Sequence, residues 1–248
     1  RDPEMSRGLG DVYKRQELGK AVSKETKVDI LVTPLVTIFV GVGLSMLIAA
    51  PIGAAASQVG TLIMWATEQA PLIMGILVSV IVGVALTLPI SSAAICAALG
   101  LTGLAGGAAV AGCCAQMVGF AIMSYKENGV GGLVSQGLGT SMLQMPNILR
   151  NPRTWIPPTL AAAITGPIAT CLFHLEMNGP AVSSGMGTCG LVGQIGVYTG
   201  WIESGKAVTA FDWIGLVLIC FVLPAVLSTI FCEVLRKKGW IKEGDLKL

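Results

Sequence analysis

Charge is scarce in this chain. Only 12% of its 248 residues are Asp, Glu, Lys or Arg, against about 25% in soluble domains. Too few charged side chains remain to coat a surface, which excludes an ordinary soluble domain. Histidine is scarcer still: there is one, His174. One histidine cannot support a Cys/His zinc site, and none of the seven cysteines forms a CxxC pair. Cys96, Cys113, Cys114, Cys171, Cys189, Cys220 and Cys232 all lie in apolar or glycine-rich context, which suits small buried side chains. The adjacent Cys113 and Cys114 leave a redox pair as the alternative. No basic, aromatic-interleaved stripe is present, so nucleic acid is not an expected partner. Apolar/polar alternation is missing too, which argues against a membrane β-barrel.

Long apolar runs are what the chain has instead. Mean hydropathy is +0.76. No formally charged side chain occurs from Gln69 to Tyr125, or from Thr154 to Phe173. Runs of about 18 or more apolar residues read as bilayer spans. The expected fold class is all-α, a polytopic helical membrane protein whose chief partner is the lipid bilayer. Spans are predicted at Ile30–Ala50, Pro71–Leu88, Leu101–Tyr125, from Pro158 to Phe173, and at Phe211–Val234 with a kink near Pro224. Pro51–Ala70 reads either as a further crossing or as an interfacial helix. Glu17–Asp29 reads as a juxtamembrane helix. In the span Leu101–Tyr125, Gly103, Gly106 and Gly107 permit close helix contact.

Charge placement sets an orientation. Arg236, Lys237 and Lys238 follow the last apolar run, and Lys126, Arg150 and Arg153 lie in the long polar loop from Lys126 to Arg153. The positive-inside rule places both regions in the cytoplasm, and favours the outside for Trp201–Asp212. The expected location is the inner (cytoplasmic) membrane, multi-pass, with a cytoplasmic C-terminus.

The first sixteen residues, RDPEMSRGLGDVYKRQ, are polar and unpatterned, with no apolar core of a signal peptide. They resemble translated sequencing adapter. Residues 1–16 are therefore set aside as an artefact, and 17–248 are taken as one membrane transporter domain that continues upstream in the natural protein.

Two places echo one another. PISSAAICAALGL begins at Pro89, and PAVSSGMGTCGLVG begins at Pro180. Each joins a proline, a serine pair, small residues, a cysteine and Gly-Leu, after an apolar run that itself begins at proline. Coincidence in a chain rich in serine, glycine and alanine is the plainer alternative. As a repeat, the pair suits two re-entrant hairpins, because broken backbone at membrane depth is tolerated where it lines a protein cavity. Paired Gly/Pro-interrupted segments also point to a transporter binding site.

Just before the second echo lies FHLEMNGP, residues 173–180. Ionisable groups at membrane depth cost roughly 2.5 to 3.5 kcal/mol each, so they default to a functional reading. In an extended strand His174, Glu176 and Asn178 share one side; in a helix only His174 and Asn178 do. The Asn-Gly-Pro breaker favours a helix tip that unwinds, with three polar groups aimed at one cavity. Carboxylate, amide and imidazole together suit a polyhydroxyl ligand, a proton or a cation. The candidate substrate-binding set is Glu176, His174 and Asn178, with the hairpin serines Ser183, Ser184, Ser91 and Ser92. The competing view is that His174 and Glu176 sit at an interface and face water. No cofactor is expected: Gly185-Met-Gly187-Thr-Cys-Gly190 matches a dinucleotide fingerprint, but lacks the preceding strand. No catalytic triad is readable, with His174 the lone base and no nucleophile elbow.

Whole phrases carry a resemblance. EQAPLIMGILVSVIVGVALTLPISSAAICAALGLTGLAGG, GTSMLQMPNILRNPRTWIPP and GMGTCGLVGQIG resemble the PfoR-type membrane proteins, a type 2 enzyme IIC family of the phosphoenolpyruvate-dependent sugar phosphotransferase system. The resemblance runs from about Glu17 to the C-terminus. It implies a homodimeric helical transporter with two re-entrant hairpins, a sugar as solute, and a separate IIB phosphocarrier as partner. By analogy Glu176 corresponds to the hairpin glutamate that holds the sugar, with His174 beside it. The family's sugar histidine does not map onto His174, which stands too close to Glu176. No segment here is large enough to carry a phospho-cysteine or phospho-histidine domain. Two other functions compete: a secondary transporter of a small polar solute coupled to protons or cations, and a membrane sensor that regulates gene expression.

Overall fold

The computed structural model describes residues 56–248, together with Phe39 and Ala54. The predicted artefact at 1–16, the juxtamembrane helix and the span Ile30–Ala50 lie outside the described residues.

Small side chains and proline positions lay out the helices. Helix α1 covers 56–69 and turns at Ala70 into α2, Pro71–Thr87, where proline fills the first turn and costs no hydrogen bond. A short helix α3, Ser92–Leu99, follows, and then α4, Gly103–Met123. Helix α4 is small-residue rich and buried on nearly every side, the behaviour of a helix that is apolar all round. A Cβ on Gly112 would collide with the Ser79 carbonyl of α2, so the two backbones touch.

The segment after α4 departs from the sequence expectation. Lys126–Arg153 is folded, not an open loop. It holds α5 (Tyr125–Val134), a π turn at Ser135–Gly139, a 3-10 turn at Ser141–Gln144 and α6 (Met145–Arg150). Several of its polar residues point inward, while Lys126 and Arg150 stay exposed. Gln144 donates to Gln136 at 2.9 Å, Gln136 donates to Ser124 at 2.7 Å, and Asn147 donates to Gln144 at 2.8 Å. The network continues into the C-terminal tail: Asn128 and Gln144 donate to the Leu246 carbonyl, and Asn147 to that of Lys247. The two regions expected on one side of the membrane therefore pack on each other.

A 3-10 turn, Pro152–Trp155, leads into α7, Ile156–Pro167, and a π turn over Ile168–Leu172 ends it. After an extended stretch come α8 (Ala181–Ser184), a 3-10 turn (Cys189–Leu191) and α9 (Val192–Glu203). The last long helix starts at α10, Ala210–Val217, passes through a π turn at Leu218–Val222, and finishes as α11, Leu223–Lys237. The irregularity sits immediately before Pro224. A proline ring clashes with the carbonyl four residues back and removes a donor, and widening the turn accommodates both.

Among the described residues, three helices are long and apolar enough to cross a membrane: Gly103–Met123, Pro152–Leu172 and Ala210–Lys237. Pro71–Thr87 is a shorter apolar helix of 17 residues, at the lower limit for a span. No named strand occurs among the described residues; the nearest thing is an isolated bridge between Gly103 and Met177. The protein is an all-α polytopic membrane protein.

Candidate functional site

The apolar helix that begins at Pro152 unwinds at Phe173. Phe173 donates to the Ile168 carbonyl at 3.2 Å in π geometry, and Leu175 to the Ala169 carbonyl at 2.8 Å. His174 takes the left-handed conformation, φ 44°. From there the backbone is extended, and exposure alternates residue by residue. His174, Glu176 and Asn178 are exposed; Leu175, Met177 and Gly179 are buried. The strand alternative holds: the three polar residues share one side, and period two places the apolar ones opposite.

Glycines on two helices hold this strand. Met177 and Gly103 exchange backbone hydrogen bonds at 2.9 and 3.0 Å. A Cβ on Gly107 would collide with the Leu175 carbonyl, and one on Gly200 would lie 2.8 Å from the Asn178 nitrogen. Gly103, Gly106 and Gly107 were expected to admit a neighbouring helix; they admit the extended strand instead. Strand backbone can come that close only where no side chain intervenes. Gly196 and Gly200 of α9 were not anticipated. The signal was present, because their four-residue spacing puts both on one helix face.

The two echo segments touch each other. The Ser92 hydroxyl donates to the Gly185 carbonyl at 2.7 Å, joining the two echoes directly. A Cβ on Gly185 would lie 2.5 Å from the Ser92 carbonyl oxygen. Gly187, at φ 54°, sits against the backbone of Cys113 and Cys114 and needs glycine for both reasons. The fingerprint-like glycines are therefore packing residues. Both echoes are broken segments around short helices, as the proline and serine pattern indicated.

The serines separate by role. Ser91 caps α3 by accepting from the Ala94 N–H at 3.2 Å and is exposed. Ser92 and Ser184 are buried and donate to backbone carbonyls, Ser184 to Ala181 at 2.6 Å. Ser183 is buried against Gly196. Three of the four are thus buried, whereas Glu176 is exposed. A residue not anticipated is Thr188, whose hydroxyl donates to the Gly137 carbonyl at 2.5 Å and ties the second hairpin to the folded central segment.

On the edge, Asn178 donates to one Glu176 oxygen at 3.0 Å. Glu176 is the only formally charged residue between Arg153 and Glu203. A carboxylate has about four lone-pair sites, so one amide contact leaves most of its acceptor capacity unspent. The sequence suggested a cavity here; among the described residues the three side chains stand on an exposed edge. Glycine-lined helices pack on the strand's other side. Two small clefts lie elsewhere, one lined by Met123, Cys232 and Arg236, the other by Val84, Trp155 and Thr159. Among the described residues no group of three or more His, Cys, Asp or Glu could hold a metal ion.

Two broken segments in contact, set among apolar helices, and a polar extended edge just before the second of them are the features to compare with known proteins. A family model for the phosphotransferase system, EIIC, matches residues 12–248. The chain belongs to that family. It is the membrane permease component of a sugar phosphotransferase system, and such components work with a separate IIB component. No curated protein and no solved structure gives a match.

Proposed function

We propose that this EIIC protein binds a sugar-like solute along the edge formed by His174, Glu176 and Asn178, and passes it across the inner membrane for phosphorylation by the IIB partner. The observation that carries the reading is the alternating exposure of 174–178 beside an underused carboxylate. Glu176 accepts hydrogen bonds from sugar hydroxyls. Asn178 orients that carboxylate and offers its own carbonyl. His174 supplies a donor or an acceptor from the neighbouring position. The Ser92 hydroxyl is spent on Gly185 and joins the hairpins, and that of Ser184 is spent on Ala181 within the second one; Ser91 and Ser183 support their helices. The protein works as a homodimer, with the C-terminal tail and the segment Lys126–Arg153 in the cytoplasm, where their basic excess places them.

A thermal-shift panel of hexoses, hexitols and amino sugars on the full chain identifies the solute, and isothermal titration compares the parent with Glu176→Gln. The variant keeps the shape and removes the charge. Affinity falls by about 1.5 to 3 kcal/mol, the worth of hydrogen bonds to a charged group. An unchanged affinity refutes the assignment.

A lone carboxylate with a histidine two residues away also favours a second reading, uptake coupled to protons. It makes a different prediction: Glu176→Gln keeps solute exchange but loses the pH dependence of net uptake.

A further inference from the structure

The end of the last apolar helix carries a second polar feature, away from the hairpins. Gly239 turns the chain at φ 69°. Its N–H donates to the Arg236 carbonyl at 2.9 Å, and the Trp240 N–H reaches the Leu235 carbonyl at 3.0 Å. This is a Schellman stop, and it folds Trp240 back beside Lys238. The Lys238 Nζ lies 5.7 Å from the centre of the Trp240 ring. The guanidinium of Arg153, from the start of the helix Pro152–Leu172, lies 5.1 Å from the same ring. Asn151 fixes both partners: its side-chain oxygen accepts from the Arg153 N–H at 3.3 Å, and its amide donates to the Trp240 carbonyl at 2.9 Å.

Two cations are thus gathered on one exposed indole where two apolar helices end. Cation–π attraction at an exposed site supplies about 0.5 to 1 kcal/mol per cation, and the cations repel each other. Among the described residues, neither forms an ion pair; the pairs present are Lys126–Glu233, Lys206–Asp212 and Arg236–Glu127. Asp245 lies in the same turn, but one of its oxygens is engaged by the Asn151 amide and the Lys242 N–H, each at 2.8 Å. The unmet requirement is an anion shared by Arg153 and Lys238.

We propose that Arg153, Lys238 and Trp240 form a site for the phosphate of an anionic phospholipid. Guanidinium donates to two phosphate oxygens at once, and ammonium adds a point charge. Indole sits at headgroup depth, apolar body inward. Acyl chains have a surface to follow, because Val234 and Ile230, one and two turns before Lys238, are exposed at 45% and 52%.

Bromine-labelled acyl chains test this in the full chain reconstituted in phosphatidylcholine vesicles. Either brominated phosphatidylglycerol or brominated phosphatidylcholine is doped in at equal mole fraction. The Trp240 signal is isolated by difference against Trp240→Phe. Brominated phosphatidylglycerol quenches Trp240 more than brominated phosphatidylcholine does. Arg153→Gln and Lys238→Gln each lower that preference about fivefold, the worth of one basic side chain at an anionic surface, without shifting thermal unfolding. Added inorganic phosphate leaves the preference unchanged. Equal quenching by the two lipids overturns the proposal, as does a preference that survives both substitutions. Loss of the preference on adding inorganic phosphate also overturns it, because the site then takes a soluble anion.

Discussion

Two polar clusters in this apolar chain behave in opposite ways. The amide cluster of Gln136, Gln144 and Asn147 is buried, and its side chains engage each other, Ser124 and the tail carbonyls. The edge of His174, Glu176 and Asn178 is exposed, and its carboxylate meets one amide. Both consist of residues an apolar environment penalises. The difference lies in how far their hydrogen-bonding capacity is spent. A satisfied buried network holds a structure together, while an unspent group in a conspicuous place is available to a ligand. Polar residue content alone does not separate scaffold from site; satisfaction does.

The largest expected effect comes from breaking the support of the edge. Gly107→Ala puts a methyl group into the Leu175 carbonyl. Backbone on both sides leaves little to give, so the cost is about 3 kcal/mol, the upper part of the overpacking range. Thermal unfolding in detergent reads the loss, and solute binding disappears with it.

Breaking the buried cluster comes next. Gln136→Leu takes the acceptor from one Gln144 amide hydrogen, the other keeping the Leu246 carbonyl, and removes the donor to Ser124. An unsatisfied buried group costs about 1 to 3 kcal/mol. Stability falls, while solute affinity per folded molecule stays near the parent value. Glu176→Gln shows the reverse pattern, lost affinity with unchanged unfolding temperature, and the pair of variants sharpens the contrast. An Asn178→Ala variant belongs with the edge: it frees the Glu176 carboxylate without removing it, so affinity drops by about 1 kcal/mol, the net worth of an ordinary hydrogen bond.

The smallest effect is expected at the ion pair Lys126–Glu233, whose side chains are 73% and 47% exposed. Lys126→Ala leaves the unfolding temperature in detergent close to that of the parent, because surface pairs are screened and entropically loose.

Much of the local structure at the candidate site was legible because its signals are local. Polar residues at every second position left strand and helix open, Asn178-Gly179-Pro180 pointed to a helix tip that unwinds, and exposure alternates with period two. Prolines before Ser91-Ser92 and Ser183-Ser184 marked the two breaks, and Ser92 joins them. What stayed hidden depends on distant partners. Lys126–Arg153 read as a polar loop, since nothing local reveals that Gln144 and Asn147 bond to the carbonyls of Leu246 and Lys247, a hundred residues away. Gly107 announced a close approach but not what approaches; helix and strand demand the same missing Cβ. Which elements pack around the Glu176 edge was equally out of reach, because that too depends on distant parts of the chain.

The account's central claim is that residues 174–178 form an extended edge with its polar side open to water and solute. Single cysteines at positions 174 to 178, in a background lacking the seven native cysteines, can be labelled with a polar maleimide in reconstituted vesicles. The account predicts period-two labelling: 174, 176 and 178 react, 175 and 177 resist, and a bound sugar slows reaction at 174 and 178. A helical pattern, with 174 and 178 reactive and 176 protected, or no labelling at any of the five positions, would contradict it.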